Sequence, residues 1–274
     1  MRTIPAIPAV LVITLLSGLS ATRALAQEAA PSAGGLSANM GAVTLYKYRG
    51  QDQYINHSGE EKKLRPALQA GLDHDFGNGF YVGNWNSSVR LPSSSGTAHL
   101  EMDFYGGYRF ETGLLAWDVG ALRYQYPGSG VLNTTEVYAG ATYGPATLKY
   151  SHTVSDRYFG LEGGKNTGYL NLAVNYPVSE AVALQASVGH TMLDGGARQA
   201  SGLPDYTDYS LGLAWTAQPG LTVTAAVAGA NQDDAWGYVN KPKATIGTKY
   251  AFCVLRGAPY ASPADPHQQY PNMK

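Results

Sequence analysis

The stretch Leu100-Glu101-Met102-Asp103-Phe104-Tyr105-Gly106-Gly107-Tyr108-Arg109-Phe110 decides the fold. Taken every second residue, it separates into Leu100, Met102, Phe104, Gly106, Tyr108 and Phe110 against Glu101, Asp103, Tyr105, Gly107 and Arg109. A period of two belongs to an extended strand with one oily and one polar face. The split recurs along the chain. Residues 169–176 divide into Leu170, Leu172, Val174 and Tyr176 against Tyr169, Asn171, Ala173 and Asn175. Residues 208–216 place Tyr209, Leu211, Leu213 and Trp215 opposite Asp208, Ser210, Gly212 and Ala214. Helical periodicity is absent beyond the N-terminal region.

About twelve such strands are expected. Their spans are 36–50, 65–75, 80–90, 97–111, 114–126, 132–143, 146–155, 167–177, 181–191, 206–217, 221–230 and 243–252. Tight turns at Phe76-Gly77-Asn78-Gly79, Thr112-Gly113, Gly144-Pro145, Ser179-Glu180 and Gln218-Pro219-Gly220 alternate with longer linkers at 51–64, 91–96, 127–131, 156–166, 192–205 and 231–242. That alternation is expected of a transmembrane antiparallel up-and-down β-barrel, with short turns at one rim and long loops at the other. The soluble β-sandwich is the competing reading. It suits the pattern less well, because many glycines and alanines share the apolar faces and would fill a sandwich core poorly.

Aromatic placement agrees. Phe76, Phe80, Phe110, Trp117, Tyr143, Tyr176, Trp215 and Phe252 fall at the short-turn ends of strands, as in an interfacial girdle. Tyr46, Tyr48 and Tyr150 are expected at the outer rim.

Composition narrows the function. The 274 residues carry 19 Lys+Arg and 20 Asp+Glu, too balanced for a nucleic-acid binder. One cysteine excludes an intramolecular disulfide and a cysteine metal cluster. A mean hydropathy of −0.20 excludes a helical membrane bundle but not a barrel, in which alternate residues meet lipid.

The N-terminus reads as an address. Met1 and Arg2 precede an apolar run from Ile4 to Leu19, and Ala24-Leu25-Ala26 offers a cleavage site before Gln27. The expected organisation is a signal peptide at 1–26, a lead at 27–35, a barrel at 36–252 and a disordered, proline-rich tail at 253–274. The expected location is the bacterial outer membrane.

Specific stretches carry a family resemblance. They are Leu36-Ser37-Ala38-Asn39, Tyr46-Lys47-Tyr48-Arg49-Gly50, Pro66-Ala67-Leu68-Gln69-Ala70-Gly71 and Gly79-Phe80-Tyr81-Val82-Gly83-Asn84-Trp85. Asp103-Phe104-Tyr105-Gly106-Gly107-Tyr108, Glu136-Val137-Tyr138-Ala139-Gly140-Ala141 and Asp205-Tyr206-Thr207-Asp208-Tyr209 follow in order. The chain resembles the TorF-type family of proteobacterial outer-membrane porins over about residues 36–252. The resemblance implies a barrel and a channel, with no catalytic residues and no cofactor. Thr245, Gly247, Tyr250 and Phe252 also resemble the closing-strand signature recognised by the barrel-assembly machinery, although here a tail follows it.

If the oily faces meet lipid, the opposite residues line the lumen. The charged candidates are Lys47, Arg49, Asp73, Glu101, Asp103, Arg109, Asp118, Glu136, Lys149, Asp208 and Lys249. Closure of the barrel would gather Lys47, Arg49 and Lys249 into a basic stripe facing Glu101, Asp103, Asp118 and Glu136. A transverse field across a polar pore would tune the passage of small polar or charged solutes. The opposing expectation is that these charges pair with one another and plug a structural barrel. A surface barrel acting through its loops is the alternative function. A lipase is disfavoured, because Ser151 and His152 are adjacent and point to opposite faces. His57, His74, His99, His190 and His267 have no metal-ligand spacing. The expected partners are outer-membrane lipid, the assembly machinery and small polar solutes, with no cofactor and no metal.

Overall fold

The computed structural model describes residues 34–56 and 64–255. The signal peptide, the lead as far as residue 33, His57 and the tail from 256 onward, His267 included, lie outside the described residues.

Alternating sequence produces strands that each pair on both sides. β1 (Gly35–Val43) bonds to β14 (Lys243–Leu255) and to β4 (Ala67–Asp75). The wall then runs in chain order through β5 (Phe80–Ser93), β6 (Gly96–Thr112), β7 (Leu115–Gln125) and β8 (Thr134–Tyr143). It continues through β9 (Ala146–Thr153), β10 (Gly168–Pro177), β11 (Val182–Met192), β12 (Tyr206–Gln218) and β13 (Leu221–Ala230) back to β14. These twelve strands form a closed antiparallel barrel. Closure satisfies every strand edge, which an open sheet cannot do. β2 (Lys47–Tyr48) and β3 (Gln51–Asp52) form a separate hairpin.

The wall is oily outside and polar inside. Leu68, Leu211 and Ile246 are 71%, 58% and 55% exposed, while Glu101 and Asp103 are fully buried. This inverts the arrangement of a water-soluble globule. The girdle residues lie on the outer face at the short-turn end. Phe80 packs on Tyr108 at 4.7 Å, Phe110 stacks on Trp117 at 6.2 Å, and Tyr250 stacks on Phe252 at 5.8 Å between centroids. Phe76, Tyr143, Tyr176 and Trp215 are each more than half exposed.

Several expectations are corrected. The strand expected at 36–50 ends at Val43. Beyond it the chain turns into the barrel, so Lys47 and Arg49 belong to the inner hairpin and not to the wall. Tyr46 and Tyr48, expected at the outer rim, are buried inside, whereas Tyr150 does face outward. The linker expected at 91–96 is only the turn Ser94-Ser95, because β5 and β6 extend into a long hairpin. β14 continues through Cys253 to Leu255, beyond the expected boundary at 252. The linker at 192–205 contains a helix, α1 (Gly195–Ser201). Asp194 caps it by accepting from the Gly196 amide at 2.8 Å, and Gly202 ends it in the left-handed conformation. A second short helix, α2 (Asp233–Trp236), lies in the last long loop.

The inverted wall makes a stability prediction. Leu211→Arg on the outer face is expected to cost roughly 2–4 kcal/mol if that face meets hydrocarbon. Reversible folding into lipid vesicles, with Leu211→Ala as reference, measures it. A cost near zero would show that the face meets water.

Candidate channel lumen

The inner wall is built from tyrosines laid over glycines. The Tyr105 ring lies against Gly83, Tyr81 against Gly107, Tyr138 against Gly120 and Tyr169 against Gly189. A β-carbon at any of these glycines would collide with the ring or its hydroxyl. Each ring therefore lies flat on the wall, and its hydroxyl is fixed to serve a partner. Tyr105 donates to Asp73, and Tyr169 to Asp208 at 3.1 Å. Tyr81 donates to Asp118 at 2.6 Å and also bonds the Tyr138 hydroxyl. The Arg109 guanidinium sits 3.9 Å from the Tyr81 ring centroid and 4.0 Å from Asp75. The Lys149 ammonium sits 3.9 Å from the Tyr138 centroid. Asp73, Arg109, Asp118 and Lys149 thus line the short-turn half, which stays partly open to solvent.

The long-loop half is filled by the β2–β3 hairpin. Its turn is Arg49-Gly50, with φ of 46° and 73°. Positive φ at both central positions is the two-residue turn whose twist matches a hairpin. Gly50 is required on steric grounds too, since a β-carbon there would meet Asp208 and the Gly229 carbonyl on the β12–β13 wall. From the same tip Arg49 reaches the opposite wall. Its two terminal nitrogens donate to the two Glu136 oxygens at 3.0 and 2.7 Å, and one also donates to the Tyr158 hydroxyl at 3.0 Å. Its charge lies 4.0 Å from the Tyr169 ring centroid. The hairpin tip therefore bridges the lumen from β8 to β12 and β13.

The hairpin's other charges are matched. Asp52 lies between Lys47, at 2.8 Å, and Lys243 of β14. Lys47 also donates to the carbonyls of Gly50 at 2.7 Å and Val239 at 2.9 Å. Gln51 donates to Asn240 at 2.8 Å, which ties the final long loop over the hairpin. Tyr48 and Tyr124 share a hydroxyl bond of 2.5 Å. Phe159 packs against Tyr48, Tyr124 and Tyr158 with centroids 5.6, 4.9 and 4.8 Å apart. Burial pushes the Tyr158 phenol up in pKa, a shift opposed by Arg49.

The sequence-derived residues are thus sorted into two layers. Glu136 and Asp208 meet the hairpin tip, while Glu101 accepts from Tyr126 at 2.9 Å and Asp103 is buried beside it on the β6 inner face. Lys249 lies across from Thr222, near the short-turn rim. The expected basic stripe of Lys47, Arg49 and Lys249 does not form, because the first two leave the wall and pair with Asp52 and Glu136. The sequence reading missed Asp52, Tyr158, Phe159 and Lys243. One signal was available: Lys47 and Asp52 stand symmetrically about Arg49-Gly50, as a cross-strand ion pair must.

Ser151 and His152 do not meet. β9 turns Ser151 inward, while His152 sits on the other face beside Tyr150, at 3.3 Å. His74 packs on Phe76, and His190 bonds Thr207 at 2.9 Å. Among the described residues no group of three His, Cys, Asp or Glu could hold a metal ion.

A family model described as a bacterial protein of unknown function, Gcw_chp, matches residues 26–257. The chain belongs to the Gcw_chp family. Among solved structures this Gcw_chp chain is similar to the KdgM porin, with a TM-score of 0.52 and 9% identity over 79% of this chain and 99% of that one. A KdgM porin in complex with disordered oligogalacturonate gives 0.52 and 10% over the same shares. The NanC porin gives 0.51 and 11% over 81% of this chain and 100% of that one. At these identities the likeness is one of fold. No curated protein matches the chain.

The Arg49–Glu136 pair makes a prediction. Removing one partner of a buried ion pair leaves an uncompensated charge, worth roughly 3–5 kcal/mol. Glu136→Ala is therefore expected to release the hairpin toward water. Trypsin should then cut the folded barrel after Arg49, as read by fragment mass, while the unaltered protein resists at that bond. Equal resistance in both proteins would show that the pair does not hold the hairpin.

Proposed function

We propose that this protein is a porin-like channel of the bacterial outer membrane that passes small polar or charged solutes by diffusion. The observation that carries the reading is the inverted barrel, with its exposed oily wall and its interior of ion pairs and tyrosine hydroxyls. The resemblance to TorF-type porins and the fold shared with the KdgM and NanC porins support it. The long-loop rim would face outside and the short-turn rim the periplasm. Membrane lipid would contact the girdle, and the β14 signature would engage the assembly machinery. The leader at 1–26 would direct export.

In this reading the β2–β3 hairpin is the constriction. Twelve strands lie between the eight that side chains can fill and the 16–18 that leave a wide pore. An inserted hairpin is then enough to narrow the lumen to small solutes. A second reading, a plugged structural barrel acting through its loops, is favoured by the full burial of Glu101, Asp103 and the Arg49–Glu136 pair.

Planar-bilayer recording separates the two. The folded protein is expected to show a small unitary conductance, and Arg49→Ala, which frees the tip, a several-fold larger one. Silence from both proteins would overturn the channel and leave the structural barrel.

A further inference from the structure

Most described arginines of this chain find a carboxylate. Arg49 pairs with Glu136, Arg109 with Asp75, Arg157 with Glu162 and Arg198 with Asp205. Three do not: Arg123 donates to the Thr135 hydroxyl at 2.8 Å, while Arg65 and Arg90 have no such side-chain acceptor among the described residues. Both lie at the long-loop rim, before the start of β4 and near the end of β5. Both instead face the ring of Tyr54, with guanidinium carbons 4.9 and 5.8 Å from its centroid. Neither has a carboxylate within ion-pair distance among the described residues, and the buried Nε of each has no hydrogen-bond partner.

The cluster is held on a fixed frame. The Arg90 amide donates to the Gln53 carbonyl at 2.9 Å, and the Ile55 amide donates to the Arg90 carbonyl at 2.8 Å. The Arg65 amide donates to the Thr44 carbonyl at 2.8 Å. Backbone bonds thus fix all three side chains at their roots. A tyrosine ring can attract each cation through its face, but it cannot neutralise two like charges held on one ring. Guanidinium forks match oxyanions geometrically, donating two parallel hydrogen bonds where an ammonium offers a point charge. Two guanidinia rooted on a fixed backbone, facing one ring and without a carboxylate among the described residues, offer donors that complement a tetrahedral or planar oxyanion.

We infer that Arg65 and Arg90, joined by Tyr54, form an oxyanion-binding site at the long-loop rim of the barrel. Its ligand is a phosphate group. A lipid headgroup lying against the rim and a free phosphate arriving at the mouth offer the same chemistry. The site rests on the Proposed function only for which side of the membrane it faces. Its anion chemistry stands whether or not the barrel conducts.

The test uses the full folded chain in detergent. Inorganic phosphate is titrated in and followed by calorimetry, with heat-modifiable gel mobility confirming the fold of each variant. The double variant Arg65→Gln/Arg90→Gln is expected to lose phosphate affinity roughly tenfold or more. Arg65→Lys/Arg90→Lys, which keeps the charge but not the fork, should also weaken binding, though less. Arg157→Gln, at a loop arginine already paired with Glu162, should leave binding unchanged. A second arm extracts the protein from vesicles of phosphatidylcholine and phosphatidylglycerol and weighs it by native mass spectrometry. Phosphatidylglycerol retained by the unaltered protein and lost in the double Gln variant assigns the site to a headgroup. Phosphate binding without lipid retention assigns it to a free anion. Phosphate affinity unchanged in a folded double Gln variant, or no binding of either probe by the unaltered protein, overturns the inference. Bilayer conductance is not a readout here, so failure of the channel reading and failure of this site remain distinguishable.

Discussion

A barrel that turns its oil outward has to bring its charges inward, and every charge brought inward has to be matched. Desolvating an ion costs several kcal/mol, and only a close partner with good hydrogen bonds offsets it. Several inward charges obey that constraint closely. Arg49 meets both oxygens of Glu136, Asp52 is clasped by Lys47 and Lys243, and Asp118 and Asp73 accept tyrosine hydroxyls. The hairpin enters the lumen because the wall offers it these partners. Without it, Glu136 would lose both Arg49 bonds and keep the Tyr124 hydroxyl at 3.3 Å.

The tyrosine-on-glycine wall serves the same constraint from the other side. Twelve strands enclose more space than strand side chains of ordinary size can organise. Large rings laid flat against neighbouring glycines thicken the wall without crossing the lumen, and they present hydroxyls at fixed positions. Two layers follow. In the short-turn half the hydroxyls hold single carboxylates, while Arg109 and Lys149 lie over ring faces, so the charges stay near solvent. In the long-loop half Tyr124 and Tyr158 pack around the inserted hairpin, and its own Tyr48 is buried with them.

What the sequence made legible was whatever depends on a period of two. The faces of Leu100 to Phe110 and of Tyr169 to Tyr176 fall as their alternation demands, and most strand ends lie within a few residues of the turn signals. What stayed hidden is where an alternating chain leaves the wall. Tyr46-Lys47-Tyr48-Arg49 alternates because it is extended, and an inner hairpin is as extended as a wall strand. Periodicity reports the local conformation and says nothing about which neighbour the strand pairs with. The bend after Val43 carries no glycine or proline to announce it. The same blindness hid how far β5 and β6 run into the connection expected at 91–96, and α1, whose seven residues are too few to show a helical period. Glu136 is buried, and its partner comes from a segment that the alternation assigns to the wrong layer.

Arg49 itself shows which term governs the hairpin. The first central position of this turn favours asparagine, aspartate or glycine, because φ must be positive there. An arginine at φ 46° carries backbone strain of order 1 kcal/mol. A turn selected only to reverse the chain would place asparagine at that position. The arginine is held in its strained conformation by two carboxylate bonds, one phenol bond and the face of Tyr169, and those contacts outweigh the strain. The strain therefore marks the side chain, and not the turn, as the reason the hairpin crosses the lumen. Gly50 follows from the same geometry, since only a residue without a β-carbon can let the tip come close enough to Asp208 and Gly229 for Arg49 to span to Glu136.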